Sequence, residues 1–114
     1  MNPDEPLRTK NLAEEDPAPM DDTLGGYSWL PRMIDKARAS RAGGLGHYFR
    51  YPCPIDSHAL QKLGIDAEAF ATLACRAKSG HEVLQGMLRL EVSSPDVARF
   101  DPTRLNADLH RQWS

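Results

Sequence analysis

Gly25-Gly26-Tyr27-Ser28-Trp29-Leu30-Pro31-Arg32-Met33-Ile34-Asp35-Lys36-Ala37-Arg38 carries a turn that breaks straight into a helix. Pro31 suits the first helical position, where its fixed φ helps and its missing N–H costs nothing. Leu30, Met33, Ile34 and Ala37 then recur at helical spacing and need a core to face. Arg32, Asp35, Lys36 and Arg38 fall away from the centre of that stripe and give the helix a charged side. The spacing predicts a helix over 31–42, closed by Gly43-Gly44.

Around this helix the chain has 114 residues, 40% of them hydrophobic, which is room for one small domain. No apolar run is long enough for a transmembrane helix, so no membrane partner is expected. The opening Met-Asn-Pro-Asp-Glu lacks the basic-then-apolar pattern of a secretory signal, and the expected setting is cytoplasmic. Cys53 and Cys75 are too few for a disulfide scaffold and are expected to stay reduced. The net charge of −2 is unevenly spread: residues 1–24 hold seven acids against Arg8 and Lys10, whereas residues 25–52 hold five bases against Asp35 alone. An isoelectric point near 6.0 disfavours a nucleic-acid partner spread over the domain. A local anion site beside the basic segment remains compatible with it.

Residues 1–23, with Pro3, Pro6, Pro17 and Pro19 among the acids, bury too little to offset their ordering entropy and read as an extended or disordered tail. Residues 24–114 read as a single helical domain. The stretch 43–56 is a long loop whose glycines and prolines exclude a helix and whose Tyr48, Phe49 and Tyr51 indicate that it packs down. Asp56 is placed to cap a helix over 57–63 and Asp66 the next, where Phe70, Leu73, Ala74 and Ala77 repeat at helical spacing. Ser79 and Glu82 have capping-box spacing ahead of Val83, Leu84, Met87 and Leu88. Ser94-Pro95 and Asp101-Pro102 open a short turn at 95–100 and a terminal helix from 102, with Trp113 placed to pin that helix to the core. The expected fold is all-α: five or six short helices around one core. Phe70, Leu73, Val83, Leu84, Met87 and Leu88 are its predicted centre, with Met33 and Ile34 packed against them.

Arg32, Asp35 and Arg38 stand three residues apart, so Asp35 can reach either arginine across one turn. An exposed pair of that kind contributes only about 0.3–0.5 kcal/mol. A solvated charged face is therefore the plain alternative to a site. The functional reading joins Arg32, Asp35, Lys36 and Arg38 to Tyr48 and Asp56 of the loop, because the glycines must turn the backbone and the aromatics need a surface, the nearest being the helix. An arginine fork partly desolvated by rings suits a carboxylate or phosphate. His47, Cys53 and His58 match no metal-ligand spacing, so neither metal nor cofactor is expected. Gly43-Gly44-Leu45-Gly46 follows a helix and lacks the Gly-Lys-Ser/Thr of a phosphate loop. Cys53 beside a histidine has no local signature of a catalytic thiol, and Trp29 and Tyr27 read as apolar anchors.

With those residues in place, the chain resembles a family of small, mostly bacterial proteins catalogued as a domain of unknown function, number 5069. The resemblance rests on Gly25-Gly26-Tyr27, Leu30 through Ala39, Gly46-His47-Tyr48, Cys53-Pro54-Ile55-Asp56, Leu63-Gly64-Ile65 and Glu82-Val83-Leu84. It implies a helical domain in the cytoplasm and brings no activity, cofactor or partner. From the residues themselves, the leading expectation is a binding or interaction module that uses the basic helix and aromatic loop to engage a small anion or an acidic protein partner. The alternatives are a small enzyme with an acid–base pocket between helix 31–42 and loop 43–56, in which Asp35, Tyr48 or Asp56 would act, and a structural homodimer closed over Phe49 and Tyr51.

Overall fold

Helix α1 (Leu30–Ala42) is the element on which the others close. The computed structural model describes residues 1–113, the side chains from 111 onward excepted. Leu30, Met33, Ile34 and Ala37 turn inward as their spacing predicts, and Pro31 and Ala39 are buried too. They meet Ile55, Ala59, Leu60 and Leu63 of α2 (Pro54–Leu63), Phe70, Ala71 and Ala74 of α3 (Ala67–Arg76) and Val83 and Met87 of α4 (Gly80–Arg89). Helix α5 (Pro102–Trp113) packs on α2.

The fold is predominantly helical but not purely so. Thr23–Leu24 (β1) and Tyr27–Ser28 (β2) form a two-stranded antiparallel ribbon, with Thr23 opposite Ser28 and Leu24 opposite Tyr27. Gly25 and Gly26 make its turn at φ of 58° and 82°. Positive φ at both central residues is what a tight hairpin of matching twist requires, and glycine adopts it without a steric penalty. A side chain at Gly25 would also meet the Leu84 methyls at 2.8 Å. Strands of two residues carry no readable alternation, which is why an all-α reading missed them.

The punctuation expected of the chain is largely present. Asp66 accepts from the Ala69 N–H, Ser79 Oγ from the Glu82 N–H, and Asp101 from the Thr103 and Arg104 N–H groups. Helix α2 is the exception, since it begins three residues ahead of the expected 57. Pro54 takes the first helical position, Cys53 is the cap, its Sγ accepting from the Asp56 N–H, and Asp56 sits at the third position, its carboxylate accepting in turn from the Cys53 N–H. Cysteine is not among the preferred caps, so the aspartate took the role in the sequence reading.

Two further expectations change. In α4 the core face runs through Gly80, Val83 and Met87, while Leu73 and Leu84 are half-buried and Leu88 is 79% exposed. Leu88 lies five residues past Val83, about 140° around the helix, and so points outward. Residues 1–23, expected to be an extended or disordered tail, form no helix, and they lie against the helices up to Thr23, which opens β1. Pro17 and Leu12 are buried, the latter 3% exposed. The Leu7 N–H donates to Lys78 O, and the Leu12 N–H to Gly44 O at 2.7 Å. Gly46, at φ 70°, permits that approach, because a Cβ there would stand 2.9 Å from Ala13 Cα. The anchoring expected of Trp113 rests on a side chain outside the described ones.

Replacing Met87 with alanine should cost about 2–5 kcal/mol, whereas Leu88→Ala should stay within about 0.5 kcal/mol, both read from denaturant unfolding. His58 packs edge-on against Phe100, with ring centroids 5.1 Å apart, and burial, helped by Lys62, holds its pKa below the usual histidine range. The unfolded chain therefore takes up this proton first as pH falls. The contribution of neutral His58 is complete above about pH 6.5 and declines as pH drops from there toward the lowered folded value. His58→Gln should flatten the melting temperature in that window, as followed by circular dichroism.

Candidate functional site

The charged side of α1 is not a solvated face. Lys36 is 3% exposed, and its Nζ donates to Asp56 Oδ2 at 2.7 Å. Asp56 is wholly buried. Its Oδ1 accepts from Trp29 Nε1 at 2.7 Å, and its Oδ2 also accepts from the Cys53 N–H at 2.9 Å. Nζ of Lys36 makes a further contact to Cys53 Sγ at 3.1 Å and lies over the Trp29 ring, 5.9 Å from its centre. A buried carboxylate is tolerated only when paired and hydrogen-bonded, and this one has three donors from three points of the chain. Trp29 itself has φ 69°, in the left-handed region that a bulky residue rarely enters. Its buried ring and its bond to Asp56 hold it there.

Arg32, one turn before Lys36, lies between rings: its guanidinium carbon is 5.4 Å from the Trp29 centroid and 5.5 Å from that of Phe49. Nη1 donates to Ala18 O at 3.1 Å, and Nε is buried without a partner. Asp35 and Arg38 go elsewhere. Asp35 Oδ2 accepts from Lys10 Nζ at 2.9 Å and from the Ala18 N–H at 2.8 Å, on the side where the N-terminal segment crosses. Arg38 Nη1 donates to Ala74 O and Ala77 O, holding the end of α3. Asp35 is thus spent on Lys10, not on the arginines of its own helix.

Arg32 and Lys36 open onto a cleft of about 500 Å³ between α1, the 43–53 loop and α5. Trp29, Phe49, Ile55 and Met20 supply its apolar walls, while His47, Arg50, Cys53 and Asn106 supply polar groups. Tyr48 stands at the rim, 94% exposed. Among the described lining residues there is no carboxylate, and Arg50 and His47 make no hydrogen bond or ion pair there. The cleft runs on into a shallower one of about 440 Å³, lined by Pro54, Ile55, Leu109 and His110 and sharing Arg50, Cys53 and Asn106 with the first.

Of the residues singled out from the sequence, Arg32, Lys36 and Tyr48 therefore meet at one cleft. Asp56 lies under its floor, and Asp35 and Arg38 lie outside it. Two apolar loop residues are already engaged within the chain: Phe49 on Arg32, and Tyr51 on Phe70, with its hydroxyl donating to Ala67 O at 2.8 Å. Burial pushes the Tyr51 phenol well above the usual range. Sequence reading took Trp29 as an apolar anchor and found no metal or catalytic signature at Cys53, and so placed neither at the site, although they lie within three residues of Pro31 and Asp56. Met20 and Asn106 arrive from distant segments and carry no local signal. Cys53 and Cys75 are both free thiols.

Removing one side of the buried pair leaves the other charge unpaired in a dry site. Asp56→Asn should therefore destabilise the protein by about 3–5 kcal/mol in denaturant unfolding. The double variant Lys36→Met/Asp56→Asn should recover much of that loss.

The family model described as a domain of unknown function (DUF5069) matches residues 14–98, and the chain belongs to that family. No curated protein matches it. The matched span takes in Arg32, Lys36, Cys53 and Asp56 and also the 14–22 segment that supplies Met20 and Ala18.

Proposed function

We propose that this DUF5069 protein binds a small organic anion, headed by a carboxylate or phosphate, in the cleft over Arg32 and Lys36. The observation that carries this reading is the charge of the cleft lining: Arg32, Lys36, Arg50 and His47, with no acid among the described lining residues. Asp56 neutralises Lys36 from below but is closed off from the cleft, so it cannot repel a ligand by contact. Arg32 contributes more than charge. Its plane is fixed between two rings and by Ala18 O, so little rotamer freedom remains to be lost when an anion docks on the free edge. Such charge-assisted bonds in a partly desolvated site are stronger than their counterparts in open water. The apolar continuation past Ile55 and Leu109 suits a ligand with a hydrophobic body behind its anionic head.

Inorganic phosphate serves as the probe, against chloride at matched ionic strength. At ten times its dissociation constant it should stabilise the protein by about 1.4 kcal/mol, raising the melting temperature by roughly 4–8 °C. Arg32→Gln should weaken binding by about 1.5–3 kcal/mol, roughly 10- to 150-fold. Arg41→Gln should leave it unchanged, because Arg41 is occupied with Glu68 and Thr72 on α3. Equal stabilisation of the parent and Arg32→Gln proteins by phosphate would refute the site.

A further inference from the structure

The residues of the joined cleft are sorted along its length. Arg32, Lys36 and His47 line only the first half, and Leu109 and His110 line only the second. Asn106 lines both, and it stands on one face of α5 with Leu109 and His110, at i, i+3 and i+4. Passing from the cationic half to the apolar half therefore means passing along α5 toward its C-terminal end. Leu109 is half-buried against the core, whereas His110 is exposed, so this wall runs from polar through apolar to solvent. From Asn106 to His110 it covers about 6 Å of helix axis, the reach of about five extended carbon–carbon bonds. Pro54, Ile55 and Leu109 give the second half saturated surface, while the Trp29 and Phe49 rings are turned to Arg32. An aromatic body finds no ring there to stack on, and an alkyl chain needs none, because its burial is rewarded by area alone.

We infer that the ligand is an unbranched aliphatic anion of medium chain length, and that α5 sets that length. The inference rests on the anion reading above and deepens it, since that reading assigns the head and α5 assigns the body. The carboxylate or phosphate sits over Arg32 and Arg50, and the chain runs past Ile55 and Leu109. A clefted volume of about 500 Å³ joined to one of about 440 Å³ suits a whole organic molecule, and a bare inorganic ion leaves the second half unfilled. A short chain leaves Leu109 hydrated. A chain that outruns the wall emerges at His110 into water, where further methylenes gain nothing.

Isothermal titration calorimetry of the intact protein, at one pH and ionic strength, tests this with two series of probes. One runs through acetate, butyrate, hexanoate, octanoate and decanoate, the other through the monoalkyl phosphates of the same chain lengths, and the matching alcohols serve as controls without a charged head. In at least one series affinity should rise about two- to fourfold per methylene, the range from half to full burial. The gain should level off between the octyl and decyl members, and each alcohol should bind at least tenfold more weakly than the anion of its length. These measurements need no variant to fold. Leu109→Asn should remove most of the gain per methylene and leave the affinity for inorganic phosphate unchanged, whereas Leu88→Asn, at an exposed leucine of α4, should alter neither. Affinity independent of chain length in both series, alcohols that match the anions, a gain undiminished through the decyl members, or increments that survive Leu109→Asn would overturn the inference. If inorganic phosphate still stabilises the parent protein in that case, the anion site stands and only the assignment of the chain falls; if it does not, both fall.

Discussion

The buried carboxylate of Asp56 is the constraint on which the rest of the structure depends. It ties together three places that the chain must bring into register: the turn before α1 through Trp29, the middle of α1 through Lys36, and the start of α2 through Cys53. Taking two charges out of water costs several kcal/mol per ion, so the pair is weak evidence for net stability. What it fixes is position. A slip of α2 along α1 would strand an ammonium or a carboxylate in a dry interior.

That constraint has a consequence for the cleft above it. Lys36 is held at the floor with its charge balanced from below, and Trp29 is held so that its ring packs against Arg32. Phe49 packs against the same guanidinium, and Ala18 O accepts from its Nη1. The cations of α1 are therefore rigid and partly dried, which distinguishes them from the exposed arginines that mark an ordinary helical surface. The N-terminal segment belongs to this arrangement, since it carries Ala18 and Met20 to the site and satisfies Asp35 through Lys10.

No helix among the described residues is long and apolar enough to cross a membrane. The position of Cys53 follows directly from capping. A residue that ends a loop and begins a helix has its side chain folded back toward the first N–H groups, and here Pro54 forces that geometry one residue after Cys53.

The helices were legible because their determinants are local. Pro31, Asp66, Ser79 and Asp101 mark starts within one turn of where they act, and the stripe of Leu30, Met33, Ile34 and Ala37 needs only the period of a helix. The same local logic placed a charged side on α1 and named Arg32 and Lys36. It could not say where those charges go. Asp35 meets Lys10 across twenty-five residues, Lys36 meets Asp56 across twenty, and Arg38 reaches Ala74 across thirty-six. Each pairing exchanges the hydration of a charge for partners that only the folded chain brings near, and no periodicity records that exchange. The sequence determined which segments are helical and which side of α1 carries charge. The tertiary structure decided which of those charges are buried, which are spent on other parts of the chain, and which are left facing a cleft, because desolvation depends on everything packed around a group and not on its neighbours in the chain.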